Sequence, residues 1–412
     1  FHSLYALWDL ARDGLWPAAR WREALQVWSE DVMVLRSWHY AAPLVKNMPN
    51  AVAHELAHSV TWWLEAASKG INRHEAILLD LCRRFLNFPL ETGSGIAQNG
   101  ELLSQPATEA INHPIGHVTQ ALLNLWFNRE PNDNDHLPAE IESFFTGICD
   151  VRIERFRHGR VLLGSRLISI FRVDRPWTER HLLPLFDWAD NPVEAKAVWE
   201  GFLWSPRLYR PLLIALKSQF LETARHYDCL SEYAQQFAAF LTYAALEPMD
   251  GYTRQDFQSA IGALPQQGLQ ESAQALTQAL EGAGNQREEY WRNRVQPFWQ
   301  HVWPKSRIFA TPEIAESLVL LSIAAGSEFP AAMTAVQDWL QPIKHPQYAV
   351  HRLCESGLCS LFPGESLILL NAVIEAQEWM PRDLGQCLKA IAEAQPNLKQ
   401  KQRFKRLEQY LR

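Results

Sequence analysis

Apolar residues recur along this chain at the three- and four-residue spacing of amphipathic helices, over most of its length. Leu4, Leu7, Trp8 and Leu10 mark a first stripe, closed by Gly14. Pro17 opens a second segment through Trp21, Leu25 and Trp28, as the fixed proline φ suits a first helical turn. Pro49-Asn50 begins a third helix. It is expected to run unbroken through His54-Glu55-Leu56-Ala57-His58 to about Lys69, with Gly70 as its stop. A fourth is expected at 72–86, then a Gly- and Ser-containing loop at 91–100. The 106–127 segment carries another helix, entered through Asn112-His113-Pro114-Ile115-Gly116-His117. Residues 128–138 form an acidic connector rich in Asn and Pro.

The middle of the chain looks periodic. Helices are expected near 178–188, 192–204, 206–225 and 229–246, with Pro192 and Pro206 in the turns and Pro211 inside the third segment. Helix pairs of about 40 residues resemble HEAT-like solenoid geometry. A Gln-, Ala- and Gly-rich stretch at 262–284 closes this block, and a Trp-rich helix at 287–303 ends at Pro304. Short helices follow at 312–325, 330–340, 347–356, 365–377 and 381–394. The runs Val161-Leu162-Leu163 and Leu167-Ile168-Ser169-Ile170 have no second alternating run to pair with, so they read as helix rather than strand. The fold class is therefore all-α: an elongated helical array with HEAT-like pairs in the middle. Three domains are expected: a Trp-rich helical domain at 1–130, HEAT-like repeats at 139–285 and a C-terminal helical domain at 286–412.

Composition narrows the function. With 47% hydrophobic and 21% charged residues the chain is ordinary globular material. Its 17 Trp point to aromatic-rich packing. A net charge of -7 argues against a general nucleic-acid binder, which needs a basic field. Lys399, Lys401, Arg403, Lys405 and Arg406 read as a solvated helix face. No run of about twenty apolar residues exists, so no membrane span is expected. There is no charged-then-apolar signal pattern at the start. Cys82, Cys149, Cys229, Cys354, Cys359 and Cys387 are scattered and read as reduced, buried thiols of a cytoplasmic protein. The chain opens at Phe1 without an initiator Met, which suggests a piece of something larger.

The most chemically loaded string is His54-Glu55-Leu56-Ala57-His58. In a zinc peptidase two His one turn apart share a helix face, and the Glu between them activates a zinc-bound water. A third ligand is needed, and Glu75, Glu101, His113 and His117 are the candidates. None has a diagnostic spacing, and everything upstream reads as helix where such peptidases place a sheet. The favoured reading gives His54 and His58 no metal and the chain no cofactor; zinc with Glu55 as the catalytic base is the alternative. His113 and His117 flank a helix entry in which Asn112 caps, Pro114 stiffens and Gly116 allows close approach. Gly93-Ser94-Gly95 follows no strand and leads to no Lys-Ser/Thr pair, so it is neither a nucleophile elbow nor a phosphate loop. Arg152, Arg155, Arg157 and Arg160 read as a salt-bridged surface near Glu142 and Glu154.

Three strings carry a resemblance: His58-Ser59-Val60-Thr61-Trp62-Trp63-Leu64, Ile111-Asn112-His113-Pro114-Ile115-Gly116 and Thr119-Gln120-Ala121-Leu122-Leu123. With the Trp-rich helices around them, they resemble the C-terminal helical region of large bacterial sirtuin-like anti-phage defence proteins. The resemblance is best over the first 130 residues. It implies an N-terminal NAD-destroying domain upstream in the same polypeptide and a helical part that senses infection. No sirtuin residue carries over, since neither the dinucleotide loop nor the catalytic-His context is present, so this segment by itself is not expected to cleave NAD. The first expectation is thus a regulatory module that binds a phage or host protein. Arg207, Tyr209, Arg210, Tyr227 and Tyr233 are its candidate exposed contacts, being residue types frequent at binding hot spots. The zinc peptidase is a second reading, and a scaffold that only mediates homo-oligomerisation is a third.

Overall fold

A computed structural model describes residues 2–71, 73–88, 97–98, 101–102, 106–375 and 380–411. The fold is all-α. Among the described residues the only β structure is one antiparallel pair, Ala97–Gln98 with Glu101–Leu102. The Gly93-Ser94-Gly95 turn lies outside the described residues. No single described helix is long and apolar enough to cross a membrane.

The chain divides into two compact units. The first comprises Phe1–Ala215 with Leu230–Tyr233, and the second Leu216–Cys229 with Ala234–Arg412. The division falls inside the segment expected as a middle domain.

The first unit begins with α1 (His2–Arg12), α2 (Ala18–Trp28), α3 (Asp31–Lys46), α4 (Asn50–Glu55), α5 (Ala57–Ser68) and α6 (Glu75–Asn87). It continues with α7 (Pro106–Asn112), α8 (Pro114–Phe127), α9 (Ala139–Ile148), α10 (Arg157–Ser165), α11 (Leu167–Val173), α12 (Arg175–His181), α13 (Pro192–Leu203) and α14 (Arg210–Ala215). Helix α2 packs on α5, α5 on α8, α8 on α10 and α10 on α13. Trp21, Trp28, Trp38 and Trp63 fill the first layers, with the Trp38 and Trp63 rings 4.8 Å apart. Buried indole N–H groups usually find partners, as two of these do, while Trp21 Nε1 is buried without one. Trp63 Nε1 donates to Ser37 Oγ at 3.0 Å and Trp38 Nε1 to the Arg73 carbonyl at 3.0 Å.

Glycines set the spacing of the later layers. A Cβ at Gly201 would lie 2.2 Å from the Val161 carbonyl oxygen, and one at Gly164 would lie 2.8 Å from that of Val198. These two positions let α10 and α13 approach backbone to backbone. The expected close approach at Gly116 is equally strict, with the Ala110 carbonyl oxygen 1.7 Å from where its Cβ would be.

The second unit holds α15 (Lys217–Glu222), α16 (Ala234–Leu246), α17 (Arg254–Ala263), α18 (Gln266–Gly282), α19 (Arg287–Tyr290) and α20 (Gln296–His301). It ends with α21 (Pro312–Ala324), α22 (Phe329–Val336), α23 (Gln347–Glu355), α24 (Leu358–Leu361), α25 (Pro363–Val373), α26 (Leu384–Ala394) and α27 (Gln402–Gln409). Here α16 packs on α18, α18 on α21, α21 on α23 and α23 on α26.

Several elements depart from expectation. The third helix breaks at Leu56, whose φ of -99 and ψ of 12 separate α4 from α5 inside the His-Glu-x-x-His string. Leu56 is fully buried at this break. The 206–225 segment is two short helices followed by a 3₁₀ stretch, Thr223–Tyr233. The Gln-rich 262–284 stretch contains the 17-residue α18, which buries Leu269, Ala273, Leu276 and Leu280 at helical spacing. The 161–170 runs are helical, in α10 and α11.

Candidate functional site

The three strings behind the resemblance fold together, because they occupy α5 and the α7–α8 entry, and α5 packs on α8. Their titratable groups form a histidine cluster within the first unit. His58 sits on α5, exposed, with its ring 5.2 Å from that of His117 on α8 and 6.2 Å from Trp62. His117 is buried, and its Nδ1 lies 2.6 Å from Glu65 Oε2. His117 Nε2 is buried without a hydrogen-bond partner.

His113, not Asn112, caps α8. Its Nδ1 accepts from the Ile115 N–H at 3.1 Å, with Pro114 in the first turn. The His113 ring stacks on His158 of α10 at 3.7 Å and 5°. Two parallel imidazoles this close repel if both are charged. Burial, with His117 and His58 nearby, lowers His113 to about 4. Burial, with His113, Arg157 and Arg160 nearby, lowers His158 to about 3. Burial and His117 lower His58 as well.

Beside His158 lies a buried ion network. Arg157 Nε donates to Glu194 Oε1 at 2.7 Å. Arg160 donates to Glu194 through Nε and Nη2, both at 2.8 Å. Arg160 Nη1 also donates to the carbonyls of Ile148, Asp150 and Ile153. The side chains of Glu194 and Arg160 are 1% and 0% exposed. This corrects the expectation of a salt-bridged arginine surface, as two of the four arginines are core. Arg152 pairs with Asp150, and Arg155 donates to the Leu86 carbonyl and covers the Phe156 ring. A cavity of about 550 Å³ opens over Glu194 between Asp150, Arg152, His181 and Asp187. Six residues along α13, Glu200 is fully buried with neither carboxylate oxygen hydrogen-bonded; Lys196 Nζ lies 3.8 Å from Oε1, and burial raises Glu200 to about 8.

The zinc alternative meets a poor fit. His54 lies against Phe88, with ring centroids 6.2 Å apart, whereas His58 faces His117. Glu55 is exposed and 3.6 Å from Arg22. Glu75 pairs with Arg129, and the Glu101 side chain lies outside the described residues. Among the described residues no group of three or more His, Cys, Asp or Glu is placed to hold a metal ion. The cluster gathers His58, His113, His117 and His158 with Glu65, and burial keeps the stacked His113 and His158 neutral at pH 7. His158 and Glu65 carried no motif that sequence reading could have used.

The candidate partner contacts split. Arg207 and Arg210 are exposed, and Tyr209 is half-buried against Phe171, with ring centroids 6.3 Å apart. Tyr227 and Tyr233 are buried, which corrects their expected exposure: the 3₁₀ stretch turns both rings into packing. Burial raises Tyr227 to about 12.

No protein-family model matches this chain, and no solved structure matches it. A stretch of 130 residues, 31% of the chain, is 25% identical to part of the uncharacterized protein y4cA of Sinorhizobium fredii (strain NBRC 101917 / NGR234). The chain covers 11% of that protein's length.

Proposed function

We propose that this chain is the recognition and regulatory helical module of a larger bacterial anti-phage defence protein, binding a phage or host protein and controlling an upstream NAD-cleaving domain. The strings His58–Leu64, Ile111–Gly116 and Thr119–Leu123 support the family reading. Stacked helices, read as HEAT-like pairs, support a binding role, since such arrays expose long surfaces to partners. The carrying observation is a run of exposed residues near the end of the first unit. Trp204, Leu208 and Ile214 are 47%, 42% and 41% exposed, next to the exposed Arg207 and Arg210. Large apolar groups held in water beside arginines have the composition of an interaction hot spot.

The test is the double variant Arg207→Glu with Arg210→Glu in the parent polypeptide, expressed in bacteria challenged with a panel of phages. Protection and infection-triggered NAD loss should both fall, while the thermal transition of the purified chain stays near wild type, because exposed charges contribute little to folding. A variant that folds and protects normally overturns the assignment of this surface. NAD levels unaffected by infection in the wild-type parent overturn the family reading.

A further inference from the structure

Three of the six cysteines, distant in sequence, meet inside the second unit. Cys354 lies on α23, Cys359 on α24 and Cys387 on α26, and these helices pack on one another. Cys359 and Cys387 share one buried core, and Cys354 packs against it. Cys387 Sγ donates to the Val350 carbonyl, one turn before Cys354 on α23, at 3.8 Å, and Cys354 Sγ donates to Gln386 Oε1, beside Cys387, at 3.4 Å. Cys359 and Cys387 are buried, while Cys354 is half-buried and within reach of small solutes. All six cysteines are free thiols.

The electrostatics divide the labour. The neighbouring Cys387 thiol draws Cys359 below the usual thiol range. The same contact, with burial, pushes Cys387 far above it. Burial also raises Cys354. Access at one sulfur, with two more sulfurs behind it, is what stepwise thiol oxidation needs.

We propose that the Cys354–Cys359–Cys387 cluster is an oxidation site for small hydroperoxides, closing a disulfide on Cys387. The Cys354 thiolate sulfur attacks one peroxide oxygen and the O–O bond breaks. The leaving hydroxide takes up a proton and departs as water, and Cys354 becomes a sulfenic acid. The Cys387 sulfur then loses its proton and displaces the hydroxyl group. An S–S bond forms, the S–O bond breaks and a second water leaves. Two thiols and one hydrogen peroxide thus become one disulfide and two waters, with two electrons passing to the peroxide. Cys359 can next attack the Cys387 sulfur, moving the bridge to Cys359–Cys387 and returning Cys354 to a thiol. Either bridge staples α26 to its neighbours.

The experiment treats the full folded chain with hydrogen peroxide, alkylates the remaining thiols under denaturing conditions and digests it with trypsin. Cleavage after Arg352, Arg382 and Lys389 leaves Cys354 and Cys359 on the 353–382 peptide and Cys387 on 383–389. The expected product is these two peptides joined, lighter than their sum by two hydrogen atoms, with fragmentation locating the bridge. Cys359→Ser should confine the bridge to Cys354–Cys387, and Cys387→Ser should abolish the joined species. The same oxidation in guanidinium should lose the preference for this pair, a comparison that needs no variant to fold. Cys387 fully alkylated while Cys354 goes on to sulfinic acid overturns the proposal, as does equal bridging in folded and unfolded chain.

Discussion

Replacing Glu194 by Ala tests the reading of the first unit most directly. Glu194 accepts three charge-assisted hydrogen bonds, at 2.7, 2.8 and 2.8 Å, from two arginines that water scarcely reaches. Without it, Arg160 keeps three backbone carbonyls, but both cations lose their counter-charge and face each other. Removing one partner of a buried ion pair costs about 3–5 kcal/mol, mostly as the penalty of the charge left behind. For a unit of this size a kilocalorie moves the melting temperature by about 2–4 °C, so the expected drop is roughly 6–20 °C. The assay is urea unfolding followed by Trp fluorescence, with hydrogen exchange to place the loss in the first unit. Asp133→Asn is the control: it breaks the half-exposed pair with Arg172, for which about 0.5 kcal/mol is the expected scale. If Glu194→Ala unfolds within about 1 kcal/mol of wild type, the buried network is not what holds α10 to α13.

Acid should weaken the chain through the stacked imidazoles. His113 and His158 are lowered to about 4 and about 3, so the unfolded state binds protons first. Their contribution is complete above pH 6.5 and shrinks as pH falls toward those values, by about 2 kcal/mol for each group at pH 5. His158→Phe should flatten that dependence between pH 7 and 5, as read by urea midpoints; an unchanged slope sinks the argument. Glycine position should decide the sign of an Ala substitution. Gly201→Ala, whose Cβ would meet the Val161 carbonyl oxygen at 2.2 Å, should lose about 1–3 kcal/mol. Gly147→Ala, in α9 with nothing within 4 Å, should gain up to about 1 kcal/mol; equal effects would mean the close approach of α10 and α13 is not limiting. Glu200→Gln should stabilise the chain at pH 8. A carboxyl raised to about 8 costs stability as pH climbs from its unfolded value through the folded one, and a variant no more stable than wild type there would refute that cost.

Local order was written in the sequence alone. Helix spacing, Pro at first turns and Gly at stops depend on residues three or four apart, whose contacts form within one helix. That is why the helical state of Val161–Ile170 and the close approach at Gly116 could be read without a structure. Even the missed α18 carried its signal, in Leu269, Ala273, Leu276 and Leu280. What lay beyond reach depended on partners tens of residues away. Arg160 reads as surface until Glu194, 34 residues on, is packed against it. Tyr227 and Tyr233 look like contact residues until a 3₁₀ stretch, rather than an α-helix, turns them inward. His54 and His58 share a helix face only if the helix continues, and it breaks at buried Leu56. The meeting of His58 with His117, and of Cys354 with Cys387, follows from which helices stack on which. That choice is made by the fit of whole faces and the cost of burying charge without a counter-charge, quantities no short window of sequence contains.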